Sequence, residues 1–214
     1  MKKSYFKLIT VLICLLVVTN GTLTKAKGWP LYTDVDGDFW AYDAIKYSTD
    51  RQWFSGYSDG NFLPDKLITR AEAAKVLAVY EYRNREYPSI SSFTDVSIDM
   101  WYAPYIEATD DLFPNVSPGC AFRPNDFMTR EDTVYAIVNA ARLNNKVKYV
   151  DVSVVDSFCD SSTVEQLLKP YIAIGIQTSL ISGYSDGTFC PKKPLTRAEF
   201  ATLLYRAANI SKLD

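Results

Sequence analysis

Three arginines stand at positions where the local backbone disfavours them. Arg70, Arg130 and Arg197 each follow a threonine and precede an acid by two residues, in the stretches ITRAEAAKVL, MTREDTVYAI and LTRAEFATLL. The threonine and the acid have a local explanation. Thr69 with Glu72, and Thr196 with Glu199, fit a capping box, in which the hydroxyl accepts a free backbone N–H and the glutamate reaches back to the cap's own N–H. Thr129 with Asp132 is a shorter-armed version. The arginine is unexplained by this, because a cation in the first helical turn faces the positive end of the helix dipole and costs roughly a few tenths of a kcal/mol. Two chemistries would offset that cost. One is an internal salt bridge to an aspartate such as Asp34, Asp95 or Asp151. The other is an anion from a second molecule, gripped by guanidinium and dipole together.

The arginines are separated by 60 and 67 residues, and the similarity around them runs far upstream. Three units emerge, over 33–82, 94–143 and 150–209. Each has a first amphipathic segment (Trp40–Tyr47, Trp101–Ala108, Leu167–Ile174), a loop and a longer second helix. Pro104 and Pro170 sit near segment starts, where a helix tolerates proline. In the second helix Ala73, Val76, Leu77 and Tyr80 repeat at i, i+3, i+4, i+7, matched by Phe200, Leu203, Leu204 and Ala207. Alternation of period two is nowhere sustained, so the spacing predicts a mostly helical, all-α chain. A helix pair of this size buries too little surface to stand alone, which predicts one core shared by three units. The third unit, read from VDVS at Val150, requires a ten-residue insertion, VVDSFCDSST.

Composition narrows the function. The chain has 214 residues and opens on lysines followed by an apolar run from Leu8 to Val18, too short to span a bilayer. This reads as a secretory signal peptide over residues 1–26, with cleavage after Gly21 or Ala26, and predicts an exported protein with no membrane attachment after cleavage. Loss of Lys2, Lys3, Lys7 and Lys25, with no acid lost, moves the formal charge from -2 to -6. An acidic chain without a basic cluster argues against nucleic acid. There is no histidine, which removes His-based triads and His-ligated zinc. Cys120, Cys159 and Cys190 remain, either with one bridge between Cys120 and Cys190 or as three separate thiols. Asp34, Asp36 and Asp38 resemble the start of a calcium loop, but the glycine comes too early and Ile45 stands where the closing glutamate belongs. Glu107, Asp110 and Asp111 form a carboxylate cluster that exposure at a helix end explains without catalysis. No cofactor, metal or enzymatic activity is called for.

Repeat one carries Asp34-Val35, Trp40-Ala41, Ala44-Ile45, Gly56-Tyr57, Asp59-Gly60, Phe62, Pro64 and Thr69 to Glu72. Repeat three carries Gly183-Tyr184, Asp186-Gly187, Phe189, Pro191 and Thr196 to Glu199. This pattern resembles the S-layer homology family. The resemblance implies a pseudo-threefold helical assembly that binds secondary cell-wall polysaccharide, commonly bearing pyruvate ketals, in grooves between units. It implies a noncatalytic wall-anchoring function, with a surface-layer structural or assembly role through contacts with other surface proteins as the alternative. On this reading Arg70, Arg130 and Arg197 hold the ketal carboxylate, near Asp34, Asp95 and Asp151. Trp40 and Trp101 offer a flat face to a sugar or else anchor the first helix in the core, and Gly56 and Gly183 let backbone approach the ligand. Repeat two departs, with DLFPNVSPGCAF for the Gly-Tyr loop and TRED for TRAE, and repeat three has Leu167 near the tryptophan position. The best site is expected where Arg70 meets the region of Asp95 and Trp101.

Overall fold

The hydrophobic spacing produces a short helix followed by a longer one in each unit. A computed structural model describes residues 31–210, with the backbone alone at Lys146, so the expected signal segment lies outside the described residues. The helices are α1 (Tyr42–Asp50), α2 (Arg70–Tyr80), α3 (Ala103–Thr109), α4 (Arg130–Ala140), α5 (Ser153–Asp156), α6 (Lys169–Gln177) and α7 (Arg197–Ile210). Extended pairing among the described residues is confined to isolated bridges, such as Leu67 with Thr196 and Thr69 with Phe127. The chain is all-α.

The caps start the long helices as their sequence predicts. At α2 the Thr69 hydroxyl accepts from Glu72 N at 3.2 Å while Thr69 N donates to the Glu72 carboxylate. Thr196 and Glu199 repeat both bonds at α7, and Thr129 accepts from Asp132 N at α4. The short helices begin two residues later than the amphipathic pattern suggests, at Tyr42, Ala103 and Lys169. Turn bonds such as Ala103 N to Met100 O close the chain just before them, which leaves Trp40, Trp101 and Leu167 outside the helices and largely exposed.

Each long helix packs on the short helix of the following unit: α2 on α3, α4 on α6, and α7 back on α1. The loops before the long helices are tied in the same cyclic order. Ile68 N donates to Leu195 O, Leu195 N to Met128 O, and Met128 N to Ile68 O, each at 3.0 to 3.1 Å. Ile45, Leu77, Ile106, Ile137, Ile172 and Leu204 all join one buried cluster. The three units therefore share a single core, and each depends on both neighbours for its buried face.

The third unit begins elsewhere than its sequence suggests. Asp34 accepts backbone N–H bonds from Phe62 and Leu63, and Asp95 accepts them from Phe122 and Arg123, all at 2.7 to 2.8 Å. The same two bonds in the third unit go from Phe189 and Cys190 to Asp160, not Asp151. Asp151 instead accepts from Ser153 N and Ser153 Oγ at the start of the extra helix α5. The added residues thus precede the repeat rather than interrupt it. A carboxylate accepting two otherwise orphaned N–H groups is worth about 1.5–3 kcal/mol. Asp160→Ala should lower stability by about that much, and Asp151→Ala, at a solvent-exposed carboxylate, by clearly less. Urea melts of the two variants check the assignment.

Candidate functional site

The three arginines leave their helices sideways and enter the loop of the next unit. Arg70 Nε donates to Phe122 O at 2.8 Å, and Arg197 donates from Nε to Phe62 O at 2.9 Å and from Nη2 to Ser55 O at 3.0 Å. Arg130 Nη2 donates to Ser182 O. Each guanidinium also faces aromatic rings. Arg70 lies 5.0 and 4.8 Å from the Phe113 and Phe122 centroids, Arg130 4.9 and 5.0 Å from Tyr184 and Phe189, and Arg197 4.6 Å from Phe62. Only 2, 9 and 6% of Arg70, Arg130 and Arg197 is exposed, and burial pushes all three guanidinium groups below their ordinary pKa. None of Asp34, Asp95 and Asp151 pairs with these arginines, and the acid within reach of Arg70 is Asp132. The charge is held by ring faces and backbone carbonyls, with Asp132 a distant 4.0 Å from Arg70.

The expected partners of the arginines also have other work. Both carboxylate oxygens of Asp34 and Asp95 are taken by backbone N–H groups, and those of Asp151 by Ser153. Arg70 does meet the unit of Asp95, as expected, but Trp101 faces a different arginine. Trp101 lines a groove of about 320 Å³ with Gly56, Tyr57, Glu72, Lys75 and Arg197. A second groove of about 250 Å³ repeats the arrangement with Trp40, Gly183, Tyr184, Glu199 and Arg130. Trp40 is 62% and Trp101 47% exposed, so neither anchors a core, and each gives its groove a flat apolar wall.

The glycines serve packing on their own side of the loop. A Cβ on Gly56 would lie 2.3 Å from the Tyr32 ring and 2.8 Å from Asn61 O, and one on Gly183 would lie 2.2 Å from the Phe158 ring. The backbone approach they permit is that of an internal aromatic ring, which in turn stacks near Phe62 or Phe189. Two lysines that the sequence reading did not single out hold the groove tyrosines and acids. Lys66 Nζ donates to Glu72 at 2.8 Å and to Tyr57 Oη at 2.9 Å, and Lys193 Nζ donates to Tyr184 Oη at 3.0 Å with Glu199 at 3.7 Å. Their signal was present: a lysine three residues before the capping threonine in repeats one and three, replaced by Asp126 in repeat two.

The third interface, between repeats two and three, is built differently. Asn115 Nδ2 donates to Glu165 at 2.7 Å, Lys192 bridges Glu165 and the buried Glu131, and Glu165 N donates to Glu131. This chain of bonds ties the repeat-two loop to the start of repeat three. Asp126 and Asp132 stand where the other units have lysine and glutamate, and Ser117 stands for the tyrosine, so the local charge turns acidic around Arg70.

The acids of the Glu107–Asp111 cluster have structural partners. Glu107 accepts from Ser91 and Ser92, and Asp111 pairs with Arg83. Asp110, raised above the usual carboxylate range by burial, accepts from Asp111 N. Cys120, Cys159 and Cys190 are unpaired thiols, which rejects the bridge between Cys120 and Cys190. No helix among the described residues is long and apolar enough to cross a membrane.

The packing thus gives two grooves of one design, each with an exposed tryptophan and a Gly-Tyr loop. Residues 31–74 and 160–201 match the S-layer homology domain, the second match beginning at Asp160 itself. The chain is 31% identical over 169 residues to the exoglucanase XynX of Acetivibrio thermocellus, covering 78% of this chain and 15% of that protein. It is 32% identical over 172 residues to the surface-layer 125 kDa protein of Lysinibacillus sphaericus, covering 78% of this chain and 14% of that one. A cellulosome-anchoring protein of Acetivibrio thermocellus is 36% identical over 115 residues, covering 50% of this chain and 25% of that protein. The chain thus spans a quarter or less of the length of these relatives.

Proposed function

We propose that the chain is a noncatalytic module that anchors to the cell wall by binding an anionic, pyruvylated secondary wall polysaccharide, and that it acts at the cell surface. The observation that carries this reading is the duplicated groove. Twice, an exposed tryptophan faces a Gly-Tyr loop over a buried guanidinium, while the third interface is bridged and acidic. A sugar ring stacks on the indole and meets hydroxyl and ammonium donors at the tyrosine and lysine, the mix of apolar wall and directed polar groups that glycan sites use. Arg130 and Arg197 contribute a positive floor. The surface-layer proteins among the relatives favour a second reading, assembly through contacts with other surface proteins.

A pull-down of the purified protein on cell wall separates the two. Retention on wall, lost after chemical removal of pyruvyl groups, is the result expected of glycan anchoring. Retention that survives depyruvylation but requires added surface-layer protein would establish the assembly reading in its place.

A further inference from the structure

The groove arginines are largely withdrawn from solvent. Arg197 and Arg130 are buried, and donors of both are already committed to the carbonyls of Phe62, Ser55 and Ser182. The acids in the grooves are occupied as well, Glu72 by Lys66 and Glu199 by Lys193. One further cation lines each groove: Lys75 on α2 in the first and Arg206 on α7 in the second. Neither has an ion-pair partner among the described residues. Lys75 Nζ lies 6.0 Å from the Trp101 ring centroid, and Arg206 Nη1 makes one hydrogen bond, to Leu180 O at 3.2 Å.

Building on the reading of these grooves as glycan sites, we propose that the ligand's carboxylate is received by Lys75 in the first groove and by Arg206 in the second. The two are not equivalent positions. Counted from the capping threonine, Lys75 corresponds to Thr202, and Arg206 corresponds to Val79. The second cation therefore stands one helical turn, about 5.4 Å, further along its helix. In repeat two the same positions hold Tyr135 and Asn139, so the bridged interface has no cation at either position. The ligand class that suits this arrangement is a sugar ring carrying one fixed carboxylate. The ring rests on tryptophan, and the carboxylate reaches a point charge in one groove and a planar fork in the other. The first groove accordingly tolerates more variation in carboxylate orientation than the second.

The test is calorimetric titration of the whole protein with a methyl hexoside bearing a pyruvate ketal, and with the same hexoside uncharged. The parent binds the ketal at two sites and prefers it over the uncharged sugar. Lys75→Gln and Arg206→Gln each weaken one site about 10- to 100-fold, the loss of one charge-assisted contact. The double variant loses the preference altogether and binds the ketal no more tightly than the uncharged sugar. Arg206→Lys, which keeps the charge if the Leu180 contact proves necessary for folding, retains measurable preference at the second site. A double variant that still prefers the ketal as strongly as the parent overturns the assignment and leaves the groove reading intact. A parent that binds neither sugar nor wall polysaccharide overturns both.

Discussion

Arg70→Ala should melt at least about 10 °C below the parent while leaving the two open grooves able to bind. Truncation removes a fully buried side chain, vacates the space between Phe113 and Phe122, and strands the Phe122 carbonyl that accepted from Nε. Large-to-alanine changes at such sites cost about 3–5 kcal/mol, and a buried acceptor left without its donor adds about 1–3 kcal/mol to whatever the cavity costs. At about 2–4 °C per kcal/mol for a chain of this size, the shift is easily read by scanning calorimetry. Lysine does not rescue, because its ammonium lacks the planar fork that lies against two rings and reaches a carbonyl at once. The open grooves are lined by Arg197 and Arg130, so polysaccharide binding by Arg70→Ala, measured well below its melting point, stays within about twofold of the parent. A variant with parental stability and lost binding would restore Arg70 as a direct ligand contact.

The double variant Trp40→Ala/Trp101→Ala should do the reverse. Both indoles are largely exposed, so stability changes by less than about 0.5 kcal/mol. An aromatic anchor at the centre of a binding site is worth about 2 kcal/mol, or roughly 30-fold at each groove. Two grooves on one rigid module bind a repeating polymer with avidity, and losing both anchors removes that gain, typically about 10²–10⁴, as well. Each single variant keeps one intact groove and retains one-site affinity. Wall-binding isotherms of the three variants check this, and full retention by the double variant would remove the tryptophans from the site.

Much of this architecture is legible in the chain. The capping boxes at Thr69 and Thr196 are local, set by a hydroxyl and a carboxylate three residues apart, and they form as their spacing requires. The helical period of the apolar residues is equally local, and so is the shared core it demands. The register of the third unit was less accessible, because VDVS at Val150 imitates a repeat start. The span from aspartate to its phenylalanine partner, 28 and 27 residues in the first two units, is matched by the 29 of Asp160. Asp151 stands 38 residues from Phe189.

The role of the arginines was decided only by the tertiary structure. Sequence determines that a guanidinium leaves each helix start, and it cannot say what the side chain reaches, since the acceptor is a loop 52 to 142 residues away in the cyclic packing. The same closure delivers Trp101 to Arg197 rather than to Arg70, and Trp40 to Arg130, joining residues far apart in the chain. Hydrogen-bond and ring contacts between distant units depend on how the last helix returns to the first, and that geometry is a property of the whole core rather than of any segment.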